Sequence, residues 1–156
     1  MPHEQPDLLR GLTQEQVRLA MALGSRTKLV GGDVLFHLGD SASGLFLIER
    51  GKVRLTLPMA VQGHEEDIFV EERSTGQTVG WSALIPPYRF TLKATALLDT
   101  EVVSFDREVL QAFFSENPDL GYLISFNFAA VIGQRLQLFQ AMWMREIQRL
   151  VELRCA

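Results

Sequence analysis

One short stretch, Gly80-Trp81-Ser82-Ala83-Leu84-Ile85-Pro86-Pro87-Tyr88-Arg89, places a glycine, a helical turn, two prolines and an arginine side by side. The chemistry this combination suits is anion binding. Gly80 allows backbone to come close to a ligand. Residues 82–85 read as a short helical turn, and the first N–H groups of such a turn lack internal partners and form a positive dipole end. Pro86 and Pro87 stop the turn, because proline donates no N–H and disfavours α geometry in the residue before it. Arg89 adds a forked cationic donor. The same residues would also make a plain sheet corner, and taken alone they favour that reading.

Other chemically capable residues are poorly arranged for catalysis. Residues 80–84 are similar to a serine-hydrolase elbow, but Leu84 stands where its last glycine belongs and no Asp/His pair can be assigned. His3, His37 and His64 fall in a tail, a strand and a hairpin tip, without an H-x-H pair, so no metal site is expected. There is no P-loop lysine motif and no dinucleotide-binding glycine pattern. Cys155 is the only cysteine, which rules out a disulfide within the chain and fits a reducing compartment. No catalytic residues and no cofactor are expected.

The chain of 156 residues is 47% hydrophobic, enough for one domain with a real core. A formal net charge of −4 argues against a large basic face for nucleic acid. The N-terminus reads MPHEQPDLLRG, without the pattern of a signal peptide. Residues 120–133 are apolar but too short to span a bilayer, and they contain Ser125 and Asn127. A cytoplasmic protein without membrane contact is expected.

The elements that must hold residues 80–89 change period along the chain. Thr13 and Gln16 have the spacing of a capping box, followed by a short helix ended by Gly24. Strands are then expected at 26–30, 34–38, 45–50, 52–58, 68–72, 91–97 and 101–105, with 62–67 as a polar hairpin tip. In the strand at 52–58, Val53, Leu55 and Leu57 alternate with Lys52, Arg54 and Thr56, as half-burial requires. Many short strands with glycine turns predict a sandwich or barrel, most simply a jelly roll. Asp106 can cap a short helix over 107–114. Asn117-Pro118-Asp119 then reads as a second helix start. Ile132, Leu136, Phe139, Trp143, Ile147 and Leu150 recur at helical spacing to the end, a stripe longer than one side of a small barrel needs. The chain therefore divides into 1–116, a β-roll with an N-terminal helix, and 117–156, a long helix suited to homodimerisation.

In this order the sequence resembles the cyclic-nucleotide-binding domain of catabolite-activator-type regulators, kinase regulatory subunits and gated channels. The match rests on Leu8-Leu9, Gly11-Leu12, Gly32 with Leu35-Phe36, Gly39-Asp40, 44–48, Gly51-Lys52-Val53, Gly76, Val79-Gly80, Ala83-Leu84, Thr91, Ala94 and Arg135-Leu136. It implies an eight-stranded β-roll, a phosphate-binding cassette at 80–91 and a C-terminal helix that pairs in dimers. It also implies ligand contacts at Gly80, Trp81, Ser82, Ala83, Leu84, Tyr88, Arg89, Phe90 and Thr91.

Two positions depart from the family pattern. Trp81 stands where the family has an acid for the ribose hydroxyl, and an indole offers no acceptor. Counting back from Thr91, the family's phosphate arginine falls on Tyr88, with Arg89 one residue along. The ligand is then a cyclic nucleotide in an altered pose, or another small anion against an aromatic wall. Otherwise the pocket is vestigial in a dimerising interaction module. The chain carries no visible helix-turn-helix, so no nucleic-acid binding is expected of it. A transcriptional regulator lacking its DNA-binding domain is the remaining alternative. The mechanism this implies is a non-enzymatic sensor, in which an ordered cassette moves the short helix and the long helix behind it.

Overall fold

The computed structural model describes residues 4–156, so His3 lies outside the described residues. Thr13 caps the first helix, α1 (Gln14–Met21), with the reciprocal Thr13–Gln16 capping box that the sequence spacing predicts. Eight strands follow: β1 (Ser25–Leu29), β2 (Val34–Phe36), β3 (Gly44–Arg50), β4 (Lys52–Val61), β5 (His64–Ser74), β6 (Thr78–Val79), β7 (Lys93–Ala96) and β8 (Thr100–Asp106). They form two antiparallel four-stranded sheets, ordered β1-β8-β3-β6 and β2-β7-β4-β5. This is the expected double-sheet β-roll. Its core runs from Leu45, Ile48, Val53 and Val102 in the sheets to Leu120, Ile124, Phe128 and Val131 in the last helix.

The β4–β5 hairpin departs from the expectation in two places. Residues 62–67 are not a loop. The turn is Gln62-Gly63 alone, both with positive φ (49° and 81°), and His64, Glu65, Glu66 and Asp67 are already in β5. Gly63 tolerates that conformation, and two such residues give the tight turn that suits strand twist. β5 is an edge strand, where a run of charges discourages pairing with another chain. The charges that read as a solvated tip thus belong to a protected edge.

The second departure is a bulge. Leu55 pairs with Glu71 and Thr56 with Phe69, so Val70 is the extra residue in β5. The alternation of β4 breaks there. Thr56, expected outside, is buried, while Leu57 is only half-buried. Directly paired residues of an antiparallel ladder share a face. Since Val53 and Leu55 face inward, their partners Arg73 and Glu71 are carried into the interior.

Asp106 caps α2 (Arg107–Glu116), accepting from the Glu108 and Val109 N–H groups. Asn117 does not cap the last helix, α3 (Pro118–Cys155), with its side chain. Its amide donates to Phe113 O at 3.1 Å and so closes α2 instead. A Cβ at Gly121 would lie 2.9 Å from Phe114 Cβ, so the junction of α2 and α3 is packed to backbone distance. At 38 residues α3 is about 57 Å long. Its buried positions end at Arg135, and Leu136, Trp143, Ile147 and Leu150 are all exposed.

Candidate functional site

Gly80 adopts the left-handed conformation (φ 86°) and leads into a 3-10 turn, Trp81–Leu84. A Cβ there would meet Phe90 Cε1 at 3.3 Å and Phe46 Cδ2 at 3.4 Å, so both conformation and space favour glycine. The turn spans 81–84, one residue earlier than the sequence suggests. It forms one wall of a hollow inside the roll.

Gly80, Trp81, Ser82, Phe90 and Thr91 line that hollow, together with Phe36, Leu55 and Leu92, and Arg135 faces it from α3. Phe36 and Phe90 stack with centroids 3.8 Å apart and planes 9° apart. The cavity volume is about 10 Å³, room for no more than about one water molecule. Ala83 is fully buried beneath the turn. Leu84 lines a separate apolar cavity with Ile85, Gln111, Phe114 and Phe128, and Ser125 sits there rather than in the hollow.

Tyr88 and Arg89 lie outside the hollow. The arm that carries them pairs with the loop at 39–42: Ala42 N donates to Tyr88 O, Phe90 N to Asp40 O and Gly39 N to Phe90 O. Arg89 bridges to Ser41 and donates from Nη1 to Gly39 O at 2.9 Å, exposed to solvent. Tyr88 is covered by Arg107, whose guanidinium carbon sits 3.9 Å from the ring centroid. Arg107 also donates to Ala42 O at 2.7 Å and Ala83 O at 3.1 Å. It therefore ties the cassette, the 39–42 loop and the start of α2 together. Asn127 donates to Leu8 O and Arg10 O, fixing α3 to the N-terminal segment instead of reaching the hollow.

The cation that does face the hollow is Arg135. It belongs to a buried ionic cluster: Nη1 stands 2.6 Å from Glu71 Oε1, and the same oxygen lies 3.6 Å from Arg73 Nε. These contacts are ionic without hydrogen-bond alignment, for Glu71 Oε1, Arg73 Nε and Nη2, Arg135 Nε and Thr56 Oγ1 have no hydrogen-bond partner among the described residues. Two guanidinium groups share one carboxylate, leaving the cluster with an excess positive charge. Burial pushes the Arg135 guanidinium below its ordinary range; Glu71 pulls it back and Arg73 depresses it further.

Sequence reasoning missed Arg135, Glu71, Arg73 and Arg107 as site residues. A signal for the first was present. Leu120, Ile124, Phe128, Val131 and Arg135 follow one another at spacings of four and three, so the arginine occupies a position of the buried stripe. Glu71 and Arg73 sit two residues apart on one strand and so share a face. Which face depends on the bulge at Val70, and no residue type announces that.

The family profile described as "Cyclic nucleotide-binding domain" matches residues 26–117. The chain belongs to that family. It is 30% identical over 130 residues to the cyclic AMP receptor protein of Thermus thermophilus, covering 83% of this chain and 57% of that protein. The crystal structure of the Thermus thermophilus catabolite activator protein superposes with a TM-score of 0.74 at 28% identity, covering 92% of this chain and 63% of that one. A cyclic nucleotide-binding domain of Methylobacillus flagellatus shares the fold (TM-score 0.68, 20% identity, 90% and 74% covered). The chain thus spans about three fifths of the Thermus thermophilus regulator. Among the described residues, no helix is long and apolar enough to cross a membrane.

Proposed function

We propose that this domain is a non-enzymatic, cytoplasmic sensor of a small anionic ligand of the cyclic-nucleotide class, held in the hollow behind the 3-10 turn. The observation that carries this reading is the buried Arg135 guanidinium, facing the hollow from a cluster with more cations than anions. A buried charge without full compensation is costly, and a ligand anion would offset it. Arg135 takes the electrostatic role that the sequence assigned to Arg89, whose exposed guanidinium donates to Gly39 O and does not line the hollow. Trp81 removes the family's ribose acceptor, so the sugar is read by shape and aromatic contact rather than by a carboxylate.

A nucleotide needs several hundred Å³, so binding requires the hollow to widen, with Trp81 and the Phe36–Phe90 stack displaced. Because Arg135 is part of α3, the ligand acts directly on that helix. The exposed stripe Leu136, Trp143, Ile147 and Leu150 then pairs α3 of 117–156 with the same helix of a second copy, while 1–116 does the sensing.

Thermal unfolding with cyclic AMP and cyclic GMP tests the sensor reading. A ligand that binds only the folded chain raises the midpoint by mass action. No rise at millimolar nucleotide would leave a vestigial pocket in an interaction module. Light scattering tests the pairing: the wild type should run as a dimer and Trp143→Glu as a monomer, and an unchanged mass for the variant would contradict the helix pairing.

A further inference from the structure

On the far side of the buried ionic cluster lies a second cavity, larger than the hollow and of different chemistry. Its volume is about 330 Å³, in the range of small-molecule sites. It sits between the N-terminal segment, the turn from β5 to β6 and α3. Its lining is polar: Arg10, Arg73, Gln77, Asn127, Gln134 and the acids Glu4 and Asp7 define it.

Three of these groups are already committed to the chain. Asp7 accepts from Leu8 N, Thr78 N and Thr78 Oγ1. Gln77 accepts from Ser74, and the Asn127 amide donates to Leu8 O and Arg10 O. Arg73 is not held in this way: it is 7% exposed and lines the cavity, its Nε and Nη2 are fully covered, which leaves Nη1 as the nitrogen open to it, and among the described residues none of the three makes a hydrogen bond. Unpaired buried donors of a charged group are costly, and native interiors rarely leave them so. Arg10 stands at the exposed rim with its guanidinium outside any ion pair among the described residues.

We propose that this cavity is a second ligand site, for a small monoanion bearing a carboxylate or a phosphate, with Arg73 as the buried anchor and Arg10 closing over it. An oxyanion there can accept from Arg73 Nη1 and from the guanidinium of Arg10. Glu4 at the rim and the charge of Asp7 disfavour polyanions. Asn127, Ala130, Val131 and Gln134 present the cavity from one face of α3, by their spacing of three and four. The exposed apolar residues Leu136 and Trp143 recur on another face, so a second copy pairing through them leaves the cavity open. Since Glu71 is shared, an anion on Arg73 leaves Glu71 to neutralise Arg135. The two sites then oppose one another, a corollary that rests on the sensor reading above.

Calorimetric titration at constant ionic strength with dimethyl phosphate and with glycerate, both monoanions at pH 7, in the absence of any nucleotide, tests the site independently of the hollow. At least one probe should saturate below about 1 mM, and the preferred one tells phosphate from carboxylate. Arg73→Gln keeps the Glu71–Arg135 pair and should weaken binding by about tenfold or more. Arg10→Gln, at the surface, should weaken it several-fold with folding unchanged, while Arg135→Met should not weaken it. Failure of both probes to saturate by about 10 mM, or binding unaltered in Arg10→Gln and in folded Arg73→Gln, overturns the proposal. Neither result bears on nucleotide binding in the hollow.

Discussion

Two arginine-bearing regions flank the cassette, and they differ in what their charges are for. On the outer side, Arg89 of the arm and Arg107 of α2 each donate from Nη1 to backbone carbonyls, at Gly39 in one case and at Ala42 and Ala83 in the other. They hold loops in place. On the floor, Arg73 and Arg135 are buried with a single carboxylate between them, and several of their donors are unmatched. The side chains are the same and only their surroundings differ. A guanidinium at the surface costs little and marks nothing in particular. A guanidinium held in an interior that it makes electrostatically uneven points to a site for something negative.

Four substitutions break or sharpen that contrast. The largest effect falls on the floor: Glu71→Gln removes the carboxylate paired with two buried cations and should cost about 3–5 kcal/mol of stability, read by urea unfolding. Second, Arg107→Ala removes two charge-assisted hydrogen bonds and the stack on Tyr88, about 2 kcal/mol, and should loosen the cassette arm in hydrogen exchange. Third, Gly80→Ala forces a side chain into a left-handed position 3.3 Å from Phe90 Cε1, at about 1–2 kcal/mol. The smallest is Arg89→Ala, an exposed residue with one carbonyl partner, which should stay within about 0.5 kcal/mol of the wild type. If Arg89→Ala proved as costly as Glu71→Gln, the division into holding and sensing arginines would be wrong.

The outer region was the more legible one in the sequence. Gly80, the two prolines and the turn between them announce the cassette, and Thr13 with Gln16 announces a helix start, because these signals act through local backbone geometry. The long helix and its exposed stripe were equally readable from periodicity. The floor was not. Its charges are turned inward by the bulge at Val70 and by pairing across the β4–β5 ladder, and a residue's facing in a sheet changes with each slip of register. The run from His64 to Asp67 misled for a related reason: charge on a protected edge strand looks like charge in a loop. Arg89 reads in the sequence as a forked donor just past the prolines and one residue from the family's arginine; pairing with the 39–42 loop holds it at the surface.

The ligand's charge partner is best decided by isothermal titration of cyclic AMP and cyclic GMP into the wild type, Arg135→Met and Arg89→Met. Arg135→Met leaves Glu71 paired with Arg73, so the fold should persist while nucleotide affinity falls by at least about tenfold, the worth of one charge-assisted contact. Arg89→Met should bind as the wild type does. Nucleotide binding that survives loss of Arg135 and disappears with loss of Arg89 would contradict the account.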